Sequence, residues 1–345
     1  MLNERAILRE GLSAELASQK SSGSPQTFVQ QAPPSAATRD GFGAALLQLG
    51  ETNKDVVVVC ADLAESTRVL AFKQKYPERY VEIGVAEQNL ATVASGLANY
   101  GKIPFICSYA TFSPGRNNEQ IRTTIAINHV PVKIAGMHAG VSVGPDGATH
   151  QALEDIALMR VLPNMVVISP CDSEEARKAT LAAAKHPGPV YLRFAREKTP
   201  TLTTAETPFE LGKANLLWLG EHPQVVVFAT GPLVYNALCA AQSLEKDIAV
   251  SVINIHTIKP LDTAAIVAAA RDAGAAVVVE EHQIAGGLGS AIAEVLAQEC
   301  PTPIEFVGVH DQFGQSGTPA ELIEHYGMGV SHIVAAIKKV RSRKK

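Results

Sequence analysis

Positive charge is not in excess in this chain. Its 30 Lys and Arg are set against 34 Asp and Glu, a net charge of -4, which excludes a broad basic surface for nucleic acid. The one basic cluster is the tail Lys338, Lys339, Arg341, Arg343, Lys344, Lys345, read as a solvated terminus rather than a binding site. Long apolar runs are also missing. Nothing approaches the ~18 residues that span a bilayer, so no membrane partner is expected. Cysteines are few, odd in number and scattered: Cys60, Cys107, Cys171, Cys239 and Cys300 form no CxxC pair. That excludes a zinc site or a disulfide framework and points to a reducing, cytoplasmic setting. No export or transit signal is read at the N-terminus, where Glu4, Arg5, Arg9, Glu10 and Glu15 interrupt the apolar residues. Aromatics are scarce at 5%, while 46% of residues are hydrophobic, mostly Val, Ile, Leu and Ala. That balance belongs to parallel sheets covered by helices.

At roughly 100–200 residues per domain, 345 residues predict two domains. Residues 1–37 read as a tail and linker: Leu2, Ile7, Leu8, Leu12 and Leu16 have a loose helical period, followed by Ser-, Gln- and Pro-rich sequence. From Thr38 strands and helices alternate. Strands are expected in the runs Asp55–Ala61 and Tyr80–Gly84 and at Ile103–Cys107, Val132–Ala135, Met165–Ser169 and Val190–Phe194, and helices at Glu119–Ile127 and Ser173–Lys185. This predicts an α/β doubly wound parallel sheet over 38–205. After an aperiodic stretch around 197–211, apolar runs beginning near Gln224, Ala249 and Ala275 predict a smaller α/β domain over 206–345.

Three segments carry residue types suited to chemistry. In Glu82-Ile-Gly-Val-Ala-Glu-Gln-Asn, Glu87 sits at a strand-to-helix junction, the sheet edge where ligands bind in such folds. It is either a buried carboxyl that stays neutral to donate a hydrogen bond, or a helix N-terminal acid favoured by the macrodipole. In Ser108-Tyr-Ala-Thr-Phe-Ser-Pro-Gly-Arg-Asn, Tyr109 and Phe112 present a face for a heterocycle; alternatively Phe112 packs in the core and Asn117 caps a helix. In Met137-His-Ala-Gly-Val-Ser-Val-Gly-Pro-Asp-Gly-Ala-Thr-His-Gln, His138, Asp146 and His150 lie on a glycine-rich loop suited to binding hydroxyl, carbonyl or phosphate, or forming a structural turn. Their spacing fits no common metal-ligand pattern.

In order and spacing these segments resemble the pyrimidine-binding and C-terminal domains of transketolase. The matching pieces are Ala61-Asp-Leu-Ala-Glu-Ser, Gly84-Val-Ala-Glu-Gln-Asn, Thr111-Phe-Ser-Pro-Gly-Arg-Asn, Gly144-Pro-Asp-Gly-Ala-Thr-His-Gln and Leu162-Pro-Asn-Met. Thr257-Ile-Lys-Pro-Leu-Asp and Phe313-Gly-Gln-Ser-Gly-Thr-Pro follow in the second domain. The resemblance implies thiamine diphosphate as cofactor. Glu87 is then the carboxyl that hydrogen-bonds the aminopyrimidine, Phe112 stacks on that ring, and Asp62 and Leu63 line the cofactor pocket. His138, Asp146 and His150 contact the sugar, the two histidines as catalytic groups. Ser66 and Arg196, rather than Arg193, contact the substrate phosphate. Around Phe112 the family usually supplies further aromatics, where this chain has Pro114 and Gly115.

The family's Gly-Asp-Gly segment, which holds the diphosphate through a divalent metal (Mg or Ca), is absent. Gly286-Gly-Leu-Gly-Ser reads as a tight turn, not a substitute phosphate loop. The resemblance therefore implies the C-terminal (beta) subunit of a split transketolase, self-associated in a heterotetramer with an N-terminal subunit that carries the metal site. It would transfer a two-carbon ketol unit between sugar phosphates, as in pentose phosphate metabolism. The alternatives are the beta subunit of a 2-oxo acid dehydrogenase, a 1-deoxyxylulose-phosphate synthase-like fragment and a non-catalytic scaffold paralogue.

Overall fold

A computed structural model describes residues 34–344, so the short helix expected near the N-terminus lies outside the described residues. Two mostly parallel sheets dominate, their central strands buried along their whole length.

The first sheet has the order β12-β6-β7-β5-β4-β2-β3. Its parallel strands are β2 (Val56–Cys60), β3 (Tyr80–Glu82), β4 (Ile103–Tyr109), β5 (Lys133–Met137), β6 (Val166–Ile168) and β7 (Val190–Arg193). The helices α1 (Thr38–Thr52), α2 (Leu70–Lys75), α3 (Glu87–Asn99), α4 (Asn118–Gln120), α5 (Asp155–Arg160) and α6 (Ser173–Lys185) belong to this half. α4 continues as a π-helical stretch, Ile121–Ala126. Asp172 caps α6 by accepting from the Glu175 N–H at 2.8 Å.

The second sheet has the order β14-β13-β10-β11-β9: β9 (Asn215–Trp218), β10 (Val225–Ala229), β11 (Val250–Asn254), β13 (Ala276–Gln283) and β14 (Ile304–Val309). Its helices are α7 (Val234–Ser243), α8 (Thr263–Ala273), α9 (Leu288–Glu299), α10 (Pro319–His325) and α11 (Val330–Ser342).

Two short strand pairings complete the fold, the first within the first half and the second between the halves. β1 (Ser35–Ala37), in sequence that composition assigns to the linker, pairs antiparallel with β8 (Lys198–Pro200). β12 (Thr257–Lys259) leaves the second half and adds antiparallel to β6 of the first sheet. One apolar cluster runs through both halves, from Leu90, Ile125 and Ile156 to Ile253, Ile266 and Leu288. At the expected rate of about 25 cal/mol per Å², burial on this scale ties the sheets into one body. Among the described residues all five cysteines are free, and no helix is long and apolar enough to cross a membrane.

Candidate active site

Because β7, β5, β4, β2 and β3 are adjacent and parallel, their C-terminal ends lie side by side. The loops leaving those ends carry Arg196, then His138, then Tyr109 and Phe112, then Asp62 to Ser66, then Glu87. Sequence separations of more than a hundred residues are thus closed by the strand order alone.

Glu87 is the first residue of α3 and is 1% exposed, so it is both buried and placed at a helix N-terminus. Ser108 Oγ donates to its Oε1 at 3.2 Å, and Asn117 Nδ2 donates to its backbone carbonyl at 2.9 Å. Arg116 Nη1 lies 2.6 Å from its Oε2. Glu87 is buried but charge-paired. Asn117 does not cap its helix through its side chain, which instead holds Glu87 and Ser113. Nor is Phe112 a core residue. It is half-buried, with the Arg116 guanidinium 4.6 Å from its ring centroid and His150 5.4 Å away, edge-on. Gly115 explains why no further bulk follows Phe112: a Cβ there would stand 2.0 Å from the Thr111 carbonyl oxygen.

Tyr109 bridges to the next group, stacked on Phe112 at 6.0 Å and packed on His138 at 4.2 Å. His138 is 2% exposed and takes a left-handed backbone conformation, φ 56°. Its Nε2 lies 2.8 Å from Arg39 Nη1. A guanidinium only donates, so Nε2 accepts and the proton sits on Nδ1. Burial, then the charges of Arg39, Arg196 and Arg68, push His138 down to about 3. It is therefore a neutral hydrogen-bonding group in the free chain. Its Nδ1 and the Nε of Arg39 are both buried without a partner. Arg39 also donates to the Ser66 carbonyl at 2.9 Å, and burial with Arg68 and Arg196 nearby lowers its own pKa. Arg68 pairs with Asp40 at 2.7 Å, and the donors left over on Arg39 and His138 suit an anion.

The remaining expected residues fall around this core. Arg196 donates to the Val143 carbonyl at 2.8 Å and to Asp146 at 3.1 Å, which holds the Gly144–Gly147 loop against the arginine group. His150 is half-buried beside Phe112, with Thr149 Oγ1 2.9 Å from its Nδ1. Arg193 is excluded from the edge, since it is buried in an ion pair with Asp155 at 2.8 Å. Asp62 and Leu63 stand at the end of β2, Asp62 in a left-handed conformation with its N–H on Glu82. Among the described residues, no hydrogen bond or ring contact joins either to Glu87 or Phe112. Gly286-Gly-Leu-Gly-Ser is internally satisfied: the Glu280 carboxylate accepts from the Leu288 and Gly289 N–H groups at 2.7 Å each.

Comparison with known proteins decides among the families that could own such an edge. Residues 34–201 match the pyrimidine binding domain of transketolase, and residues 212–333 match the transketolase C-terminal domain. A transketolase C-terminal section from Methanocaldococcus jannaschii is 41% identical over 303 residues, 87% of this chain and 94% of that protein. The chain belongs to the transketolase family. A second relative, the 6-deoxy-6-sulfo-D-fructose transketolase subunit SqwH of a Clostridium species, is 39% identical over 89% of this chain and 95% of its own length. A solved split gene transketolase, described as an inactive beta4 tetramer, superposes with a TM-score of 0.84 at 45% identity. It covers 90% of this chain and 99% of that one.

Membership of the transketolase family implies thiamine diphosphate dependence, and the chain's own residues fit half of that cofactor. An aromatic face on Phe112 beside the buried Glu87 carboxyl suits a flat ring with hydrogen-bonding nitrogens, and a flat guanidinium already sits there. For the metal and diphosphate, no group of three His, Cys, Asp or Glu is placed to hold an ion among the described residues. Sequence reasoning missed Arg39 and Arg68. Asp40, beside Arg39 in the first turn of α1, already suits the helix dipole, so nothing local marked Arg39.

Proposed function

We propose that the chain is the C-terminal subunit of a split transketolase. With an N-terminal partner bearing the Gly-Asp-Gly segment and its Mg or Ca ion, it transfers a two-carbon ketol unit from a ketose phosphate to an aldose phosphate. The observation that carries this reading is a chain of contacts from the buried Glu87 carboxyl through Arg116 to Phe112, Tyr109 and His138, which Arg39 touches and near which the Arg196 and Arg68 charges lie. One end suits a heterocycle and the other an anionic substrate terminus.

Bound thiamine diphosphate supplies the nucleophilic carbon and electron sink for ketol transfer. Glu87 hydrogen-bonds the ring nitrogen and exchanges a proton there, while Phe112 orients the ring and Asp62 and Leu63 wall the pocket. His150, beside Phe112, is the group placed to move a proton at the substrate. His138 and Asp146 bind its hydroxyls, His138 as a neutral donor through Nδ1. Arg196, Arg39, Arg68 and Ser66 receive the phosphate. A sulfonate would satisfy the same guanidiniums, and one relative's name carries a sulfo sugar, so the site is proposed for a sugar with an anionic terminus. The split arrangement draws on relatives described as a C-terminal section, a subunit and an inactive beta4 tetramer. The assembly proposed is a cytoplasmic heterotetramer.

The test is reconstitution. The chain alone should show no ketol transfer, and mixing it with a Gly-Asp-Gly-bearing subunit, thiamine diphosphate and Mg should restore it. Full activity of the chain alone defeats the split arrangement.

A further inference from the structure

We infer that Arg116 is a placeholder for the pyrimidine ring of the cofactor, occupying its contacts in the free chain and vacating them when the cofactor binds. The inference rests on the reading of Glu87 and Phe112 proposed above. Arg116 makes the two contacts assigned there to the ring. Its planar guanidinium stands 4.6 Å from the Phe112 centroid, and its Nη1 donates to Glu87 Oε2 at 2.6 Å. Both contacts arise from one tight turn, in which the Arg116 N–H donates to the Phe112 carbonyl at 3.0 Å and Gly115 leaves the backbone room to close.

The partners differ in their freedom to move. Glu87 is 1% exposed and is held by Ser108 and Asn117, both fully buried. The Arg116 side chain is 45% exposed, so it can swing into solvent without unpacking the core. A buried carboxylate with no positive partner is costly. Arg116 removes that cost while the subunit is on its own, before a partner and cofactor arrive. The consequence is competition: cofactor binding has to break the Glu87–Arg116 pair, so the pair weakens apparent affinity.

Arg116→Met tests this by two readouts other than turnover. In the complex reconstituted with the N-terminal subunit, calorimetric titration with thiamine diphosphate and Mg should show binding tightened by about fivefold, the size of a partly exposed ion pair. The free chain should melt roughly 2 °C lower, and adding Glu87→Gln, which removes the buried charge, should restore the melt. Should Arg116→Met not fold, Arg116→Gln is titrated in the same way and must also bind more tightly than the wild type. Weakened binding would make Arg116 a permanent part of the site and overturn the placeholder; unchanged affinity and melting would overturn it as well. Failure of the underlying reading looks different. Glu87→Gln alone would then bind cofactor and turn over like the wild type, and the placeholder would fall with it.

Discussion

The chain buries charge at the junction of its two sheets and again at the C-terminal edge of the first. At the junction, Asp155 pairs with Arg193 at 2.8 Å and accepts from Tyr191 Oη at 2.6 Å, and Arg193 also donates to the Glu281 carbonyl at 2.8 Å. Glu281 itself accepts the Ser142 N–H at 2.6 Å. These groups find partners within the chain. At the edge, Arg39 donates to a neutral His138 with the charges of Arg196 and Arg68 nearby, those two already paired with Asp146 and Asp40, while buried donors on Arg39 and His138 have no partner. Single unpartnered atoms occur elsewhere, at Asn254 and His256. What sets the edge apart is like charges gathered around them. Completed polar groups are architecture, and incomplete ones point to a ligand from outside.

The comparison can be broken most sharply at the junction. Asp155→Ala leaves the Arg193 guanidinium buried and unpaired, and should cost about 3–5 kcal/mol in denaturant melts. A loss under ~1 kcal/mol would show that the junction is not held as described. At the edge the readout should be affinity instead. Arg196→Met should raise KM for a phosphorylated substrate by about 10–100-fold. Its melting point should stay close to the wild type. An equal loss with an uncharged sugar would remove the phosphate role.

A third and smaller effect is pH-dependent. Glu175, in α6, accepts from the Cys171 N–H at 2.7 Å and from Asn254 Nδ2 of the second sheet at 2.8 Å. Burial, then the Asp172 charge, raises it to about 7. Its folded value lies above the ordinary 4.5, so the stability it contributes is full below about pH 4.5 and is lost as pH rises through about 7. Between pH 5 and 8 this amounts to on the order of 1–2 kcal/mol. Glu175→Gln should flatten that slope, and an unchanged slope would assign it to other groups.

The sheets were legible because runs such as Val56–Cys60 and Val225–Ala229 are uniformly apolar, and strand assignment depends on such local pattern. β1 and β12 were not, because Ser35–Ala37 and Thr257–Lys259 are three residues each and are strands only through distant partners. At the site, Glu87, Phe112, His138, Asp146, His150 and Arg196 stand in recognisable local segments. Arg39 and Arg68 do not, since their meaning comes from His138, 99 residues away from Arg39 in sequence. The pairing of Arg116 with Glu87 was hidden for the same reason. Both residues were in view, but the 29-residue gap between them is closed only by the packing of the loop after β4 against α3.

The most direct measurement of the central claim is the ketol-transfer rate of Glu87→Ala in the reconstituted two-subunit enzyme. Loss of a positioned proton-transfer group should slow it by about 10²–10⁴-fold while the subunits still assemble. A rate near that of the wild type would contradict the assignment of Glu87 to the cofactor and, with it, the reading of this edge as half of an active site.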